Sequence, residues 1–275
     1  YRTTAVSILA EKVFFGLILL FSVALVFPLV LILAFIFVKG IGYINLALFL
    51  NDERGNGILN ALVGSLMMVV VATLIAVPLS ILTGMYLAES RKSRIADFVR
   101  LTVDVLQGVP SIILGIIAYV WIVVPFHAFS AWAGGIALAI MMMPVVIKNT
   151  EESLKLVPAS LKEAAYAVGS PRYKAMLEIV LPAGASGVMT GVLVGISRVL
   201  GETAPLLFTA FGNRDLTFDL GKPMEALPPL IFKYATSPND AWINTAWAAS
   251  FILVVFVLAI NLTTKLVTRK WKMPS

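Results

Sequence analysis

Residues 13–38 carry no charged side chain, and five further stretches approach the same pattern. A helix needs about 20 apolar residues to cross the hydrocarbon core of a bilayer. The candidate spans are 13–38, 58–88, 104–125, 132–148, 183–211 and 241–267. With 60% hydrophobic and 13% charged residues and a mean hydropathy of +0.96, the 275-residue chain reads as an all-α integral membrane protein with six transmembrane helices. The first stretch is too long for the apolar region of a signal peptide and lacks a clean cleavage site, so it is expected to remain as a span. The chain opens on Tyr1, and a natural N-terminus upstream of it is expected. The fourth stretch is short and carries Pro144, which neighbouring helices can accommodate by satisfying the freed backbone groups.

Lysine and arginine set the orientation. With the N-terminus inside, the cytoplasmic segments hold 15 of the 21 cationic residues and the outer segments hold five: Lys39, Arg54, Arg214, Lys222 and Lys233. That asymmetry predicts both termini in the cytoplasm. Two loops are long, a cytoplasmic one over 149–182 and an outer, proline-rich one over 212–240. The outer loop is either a surface connection or a lid or docking surface for an external partner. Absence of cysteine excludes disulfides, a thiol nucleophile and cysteine metal sites. No paired carboxylates or Ser/His/Asp set supports catalysis.

The remaining cation, Arg198, lies inside the fifth apolar stretch together with Glu202. An ionised group at bilayer depth is unfavourable by roughly 2.5–3.5 kcal/mol on insertion scales. On a continuous helix Gly187, Gly191, Gly195, Arg198 and Glu202 fall on one stripe, spaced 4, 4, 3 and 4. The three glycines form a small-xxx-small ridge for close helix packing, so the charges are expected to face a helix seam or a pathway rather than lipid. Either Arg198 and Glu202 form a closed ion pair that locks the span, or Arg198 is a fixed cation that lowers the barrier for an anion while Glu202 orients it.

In the cytoplasmic loop, Ser160 with Glu163 makes a capping-box pattern, Leu161, Ala164, Ala165 and Val168 give a small apolar stripe, and Gly169 ends the helix. A second helix is expected from Pro171. Such a projecting helix suits a protein interface or the membrane interface.

The string Glu163-Ala164-Ala165, three residues, Gly169, nine residues, Ile179-x-Leu181-Pro182 resembles the EAA loop of binding-protein-dependent ABC importer permeases. The likeness runs from Gly57 to Trp271. Gly-Val-Pro-Ser-Ile (108–112), Leu-Val-Pro-Ala-Ser-Leu-Lys-Glu-Ala-Ala (156–165) and Gly-Glu-Thr-Ala-Pro-Leu-Leu-Phe-Thr-Ala (201–210) are similar to phosphate permeases of the PstA type. The resemblance implies a type I, MetI-like permease domain over 58–271, preceded by an N-terminal segment, 1–57, with the first span and outer loop. It implies that Glu163, Ala164, Ala165, Val168 and Gly169 couple to a separate ATPase, and that Arg198, Glu202, Thr203 and Ser111 line an anion path.

The implied partners are a second, homologous permease (PstC-like), a dimeric cytoplasmic ATPase (PstB-like) and an extracytoplasmic phosphate-binding protein (PstS-like), all at a bacterial inner membrane. No cofactor is expected on this chain. ATP and Mg belong to the ATPase, in keeping with the lack of a Gly-x-x-x-x-Gly-Lys-Ser/Thr loop. Sulfate or molybdate transport and a phosphate-sensing scaffold are the alternatives.

Weaker features complete the reading. Gly108-Val109-Pro110-Ser111 either bares backbone N–H groups to an anion or is an ordinary proline at a helix start. His127 is expected at a membrane edge, Met141, Met142 and Met143 in span packing, and Asp104 and Gln107 as capping or interfacial groups.

Overall fold

The computed structural model describes residues 5–90 and 93–270. Arg2, Arg91, Lys92 and Lys272 of the orientation count, and Trp271 at the close of the permease segment, lie outside them. Apart from an isolated Phe211–Met224 bridge, the regular structure is helical. The first six helices are α1 Ala5–Ile41, α2 Leu46–Leu50, α3 Leu59–Glu89, α4 Arg94–Gly108, α5 Ser111–Phe126 and α6 Ala131–Lys155. They are followed by α7 Ala159–Ala167, α8 Arg172–Val199, α9 Ala204–Thr209, α10 Leu227–Ala235 and α11 Asp240–Lys270.

Five helices, α1, α3, α6, α8 and α11, are each long and apolar enough to cross a membrane, and the pair α4–α5, bent by 107°, reaches that length and apolarity only when taken together. The predicted third span, 104–125, is therefore not one helix. Pro110 has no N–H to give Leu106, and it drives Val109 to an extended conformation (φ −71°, ψ 130°). Upstream the helix reaches back to Arg94, and its polar face is tied to neighbouring helices while Asp97 and Asp104 stay more than half exposed. Arg100 bonds Glu151 at 2.8 Å and the Leu87 carbonyl at 2.7 Å, Asp104 pairs with Lys148, and Gln107 donates to the Pro144 carbonyl at 3.3 Å. The successive pairs 100–151, 104–148 and 107–144 run α4 antiparallel along α6, so Asp104 and Gln107 are inter-helix groups rather than caps.

Helix α6 is the central element. It continues seven residues past the predicted end, with Pro144 inside it. Met141 and Met142 are buried in the main apolar cluster with Met68, Leu138 and Val199. Small residues set its spacing to α3: a Cβ on Gly84 would stand 2.6 Å from the Thr150 Cβ, and one on Gly135 2.5 Å from Val71. Helix α1 stands apart from this core. It touches α11 through Phe37 and Phe251 and exposes its apolar side chains elsewhere.

The outer segment 212–240 is divided: residues 214–222 run largely exposed over the surface, and 224–234 packs into the bundle. Glu225, Leu227, Leu230 and Tyr234 are buried, and α10 packs against Ile58, Ala61 and Ala249. Four apolar positions at Leu227, Leu230, Ile231 and Tyr234 give it an inward stripe despite the prolines around it.

Candidate functional site

The predicted fifth span, 183–211, is also interrupted. Helix α8 starts at Arg172, ends at Val199, and tightens through Gly201 N–H to Arg198 O (3.2 Å) and Glu202 N–H to Val199 O (3.3 Å). Pro205 cannot donate to Gly201, which stops the helix, yet it suits the second position of α9. Glu202 therefore lies in the break rather than on the glycine stripe, which corrects the continuous-helix reading.

The two breaks come together. A Cβ on Gly115 would stand 2.6 Å from the Pro205 Cα, so α5 lies directly on the start of α9. The Ser111 hydroxyl, at the first turn of α5, comes within reach of the Glu202 carboxylate. Arg198 Nε stands 3.9 Å from Glu202 Oε1 without a hydrogen bond, and the side chains are 40% and 18% exposed. Thr203 is half-buried beside them and accepts from the Leu207 N–H through its carbonyl at 3.3 Å. Arg198, Glu202, Thr203 and Ser111 thus form one cluster of polar groups at two helix discontinuities. Glu202 is the one ionic partner of Arg198 among the described residues, and it leaves most of the guanidinium's donors unused. Discontinuous helices with free N-terminal amides and a cation are suited to an anionic solute at bilayer depth.

Gly187, Gly191 and Gly195 face α6. Their Cβ atoms would lie 2.1 Å from Ser153 Oγ, 2.4 Å from Asn149 Cβ and 3.0 Å from Met142 Cγ, respectively. The ridge therefore seats α8 on a helix of the same chain.

At the other end, α7 projects with Glu163, Ala164, Val168 and Gly169 exposed and Ala165 buried. It begins at Ala159 after Pro158, one residue before the expected cap, so the Ser160–Glu163 capping box does not form. Gly169 closes the helix at φ +79°, with Gly169 N–H to Tyr166 O and Ser170 N–H to Ala165 O both 3.0 Å. A Lys162–Glu89 bridge of 2.8 Å fastens α7 to the end of α3. Leu156 and Val168 are each more than four-fifths exposed, an apolar patch beside the helix. His127 caps α5 at φ +50° and is exposed, near the stacked Phe129–Phe211 pair.

Sequence reasoning missed an outer cluster. Glu53 and Glu225 are buried, Lys233 bonds both (2.9 and 2.8 Å), and Arg214 approaches Glu53 at 3.2 Å. Burial, with the Glu53 carboxylate next, pushes the Tyr234 hydroxyl pKa up. A cleft of about 520 Å³ opens here between Phe211–Arg214 and Met224–Thr236, and Arg198 does not line it. Its cations are already matched by carboxylates, so the two-break cluster is the better anion site. Glu53 lies 180 positions from Lys233 and shares no local pattern with it.

Broken helices meeting around a lone cation, with a projecting helix below, define a multi-pass membrane transport component. The family described as binding-protein-dependent transport system inner membrane component matches residues 80–273. The phosphate transport system permease protein PstA of Yersinia pestis is 44% identical over 85% of this chain and 81% of its own length. Its namesake from Haemophilus influenzae is 41% identical over 93% of both chains. In fold, the chain is similar to a subunit of the MetNI methionine ABC transporter, solved in inward-facing conformations, with a TM-score of 0.65 over 78% of this chain and 96% of that one at 19% identity. The chain belongs to the binding-protein-dependent transport permeases and, within them, to the PstA group. It is a non-enzymatic, multi-pass component of the inner membrane.

Proposed function

We propose that this chain forms one half of the path of an ATP-driven phosphate importer, with Arg198 as the cation the anion meets at mid-depth. The open Arg198–Glu202 contact, at 3.9 Å with the guanidinium 40% exposed, carries the reading. A closed bidentate pair would leave no donors for a solute, whereas this one leaves a fork that matches two phosphate oxygens. Ser111 and Thr203 add hydroxyls at the two breaks, and Glu202 lowers the net charge so that the anion is released again. A homologous permease completes the path on the exposed side of Arg198.

Helix α7 seats in a cytoplasmic ATPase, which binds ATP and Mg; this chain itself holds no cofactor. The outer segment receives phosphate from an extracytoplasmic binding protein, and both termini face the cytoplasm. The test is phosphate uptake by an Arg198→Gln variant in assembled, normally expressed complex. Loss of uptake with intact assembly is expected, and parental uptake removes the role given to Arg198. Equal competition by sulfate or molybdate would move the substrate to oxyanions at large.

A further inference from the structure

A second cation–carboxylate pair lies deeper on the coupling side, between Lys148 on α6 and Asp104 on α4. Both side chains are well exposed, 38% and 53%. Lys148 sits two turns before the end of α6 at Lys155, which places it about 10 Å inside that end at 1.5 Å per residue. A half-exposed ion pair at the cytoplasmic margin of the span, where the orientation count also puts Lys148, does not face hydrocarbon, because lipid cannot solvate it. It faces water or an opposing polar surface.

The helical register of α6 shows which side this is. Met142, Val146, Asn149 and Ser153 seat α8, Ile147 and Thr150 seat α3, and Pro144 and Glu151 receive α4. Lys148 lies at the margin of the α4 face, turned toward the sector of Val145 and Glu152 that lies opposite α3. Val145 is half-buried there and Glu152 exposed. Asp104 is one turn below Gly108, where α4 breaks and passes into Ser111. Seven residues of chain therefore lead from Asp104, paired with Lys148, to Ser111, whose hydroxyl reaches Glu202 beside Arg198.

We propose that Lys148 is a second oxyanion station, nearer the coupling side, and that Asp104 is the carboxylate that hands it over to the solute and takes it back. The inference rests on the reading of this chain as half of a phosphate path and extends it. Two cations, each offset by neighbouring carboxylates (Glu202 at Arg198, Asp104 with Glu152 and Glu151 at Lys148), hold an anion weakly at two depths, as transfer requires. In the resting arrangement Lys148 is latched by Asp104. An arriving phosphate competes for the same ammonium donors, and Asp104 recovers them when phosphate leaves.

The absence of native cysteine allows a direct test. Lys148→Cys is made in the full chain, and the complex is assembled with its partner subunits in proteoliposomes. A membrane-impermeant thiosulfonate applied from the coupling-loop side is expected to modify the introduced thiol, with inorganic phosphate slowing the reaction. Modification with an aminoethyl reagent, which restores an ammonium, is expected to recover uptake, while a sulfonatoethyl reagent is not. Lys148→Gln with Asp104→Asn, which removes the pair without stranding a carboxylate, is expected to lower uptake roughly tenfold with assembly intact. An unreactive thiol in the assembled complex, or parental uptake by the double variant, overturns the proposal. Parental uptake by the double variant beside a silent Arg198→Gln removes the second station alone. Phosphate protection at Lys148→Cys with full uptake by Arg198→Gln removes the Arg198 role alone.

Discussion

Glu53 and Lys233, 180 residues apart, are joined by two hydrogen bonds of 2.9 Å at the outer end of the bundle. Lys233 gives its third donor to Glu225, and Arg214 closes on Glu53 from the other side. The pair ties the first outer loop to the segment that enters α10. Its two carboxylates are buried, so their charge is supported by these cations rather than by water.

Removing one partner should therefore cost far more than removing both. Lys233→Met leaves Glu53 and Glu225 under-compensated; because Lys233 is 38% exposed and Arg214 still contacts Glu53, the expected loss falls below the roughly 3–5 kcal/mol of a fully buried pair broken on one side. Adding Glu53→Gln to Lys233→Met should return part of that loss. Thermal unfolding of the purified chain in detergent measures both. A double variant less stable than the parent by the sum of the two single-variant losses would show that the residues do not act on one another.

The glycine ridge makes an ordered prediction. A methyl at Gly191 meets the Asn149 Cβ at 2.4 Å, which no side-chain rotation relieves. At Gly187 the Ser153 hydroxyl can turn away but the Ser153 Cβ remains at 2.6 Å, and at Gly195 the obstacles are the flexible Met142 chain at 3.0 Å and a Val146 methyl at 3.1 Å. Alanine substitution should lower stability most at Gly191, by about 1–3 kcal/mol for overpacking, less at Gly187 and least at Gly195. A flat series in thermal unfolding would mean that α8 shifts freely on α6.

This ridge was readable from spacing alone, as were the long apolar helices and the projecting helix α7 closed by Gly169, because each is a local pattern. The breaks were half readable. Pro110 and Pro205 both announced interruptions, but hydropathy outweighed them, and 104–125 and 183–211 were drawn through. Helix α4 was hidden for a different reason: Arg94, Asp97, Arg100 and Asp104 suggest a solvated loop until α6 supplies their partners. Glu53 left no trace, since a contact across 180 residues has no period to detect. Glu202 was misplaced by one assumption, that a stripe of 3- and 4-residue steps stays helical past Gly201.

Glu202→Gln separates a solute-handling role from a structural lock. With the carboxylate gone, Arg198 keeps its full charge, and the anion should bind more tightly and leave more slowly. A part-exposed pair of this kind couples by about 0.2–1 kcal/mol, so KM and kcat for uptake are each expected to fall up to about fivefold. Loss of thermal stability with KM unchanged would instead assign the pair to holding α8 against its break.

The coupling helix offers a test in which backbone and side chain can be told apart. Gly169 stands at φ +79°, and no atom lies within 4 Å of where its Cβ would be. Space is therefore not the constraint in this chain, but conformation is. A residue with a Cβ pays roughly 1–2 kcal/mol in the left-handed region, and asparagine less. If docking needs α7 closed by the Gly169 and Ser170 N–H bonds, Gly169→Ala should weaken binding of the ATPase subunit by roughly five- to thirtyfold, with Gly169→Asn close to parental. Gly169→Leu should match Gly169→Ala, because the added bulk meets nothing on this chain. Titration of the ATPase subunit against the chain in nanodiscs reads all three. Leucine far worse than alanine would place the partner's surface against Gly169 itself, and asparagine as weak as alanine would show that the helix end is not what the ATPase grips.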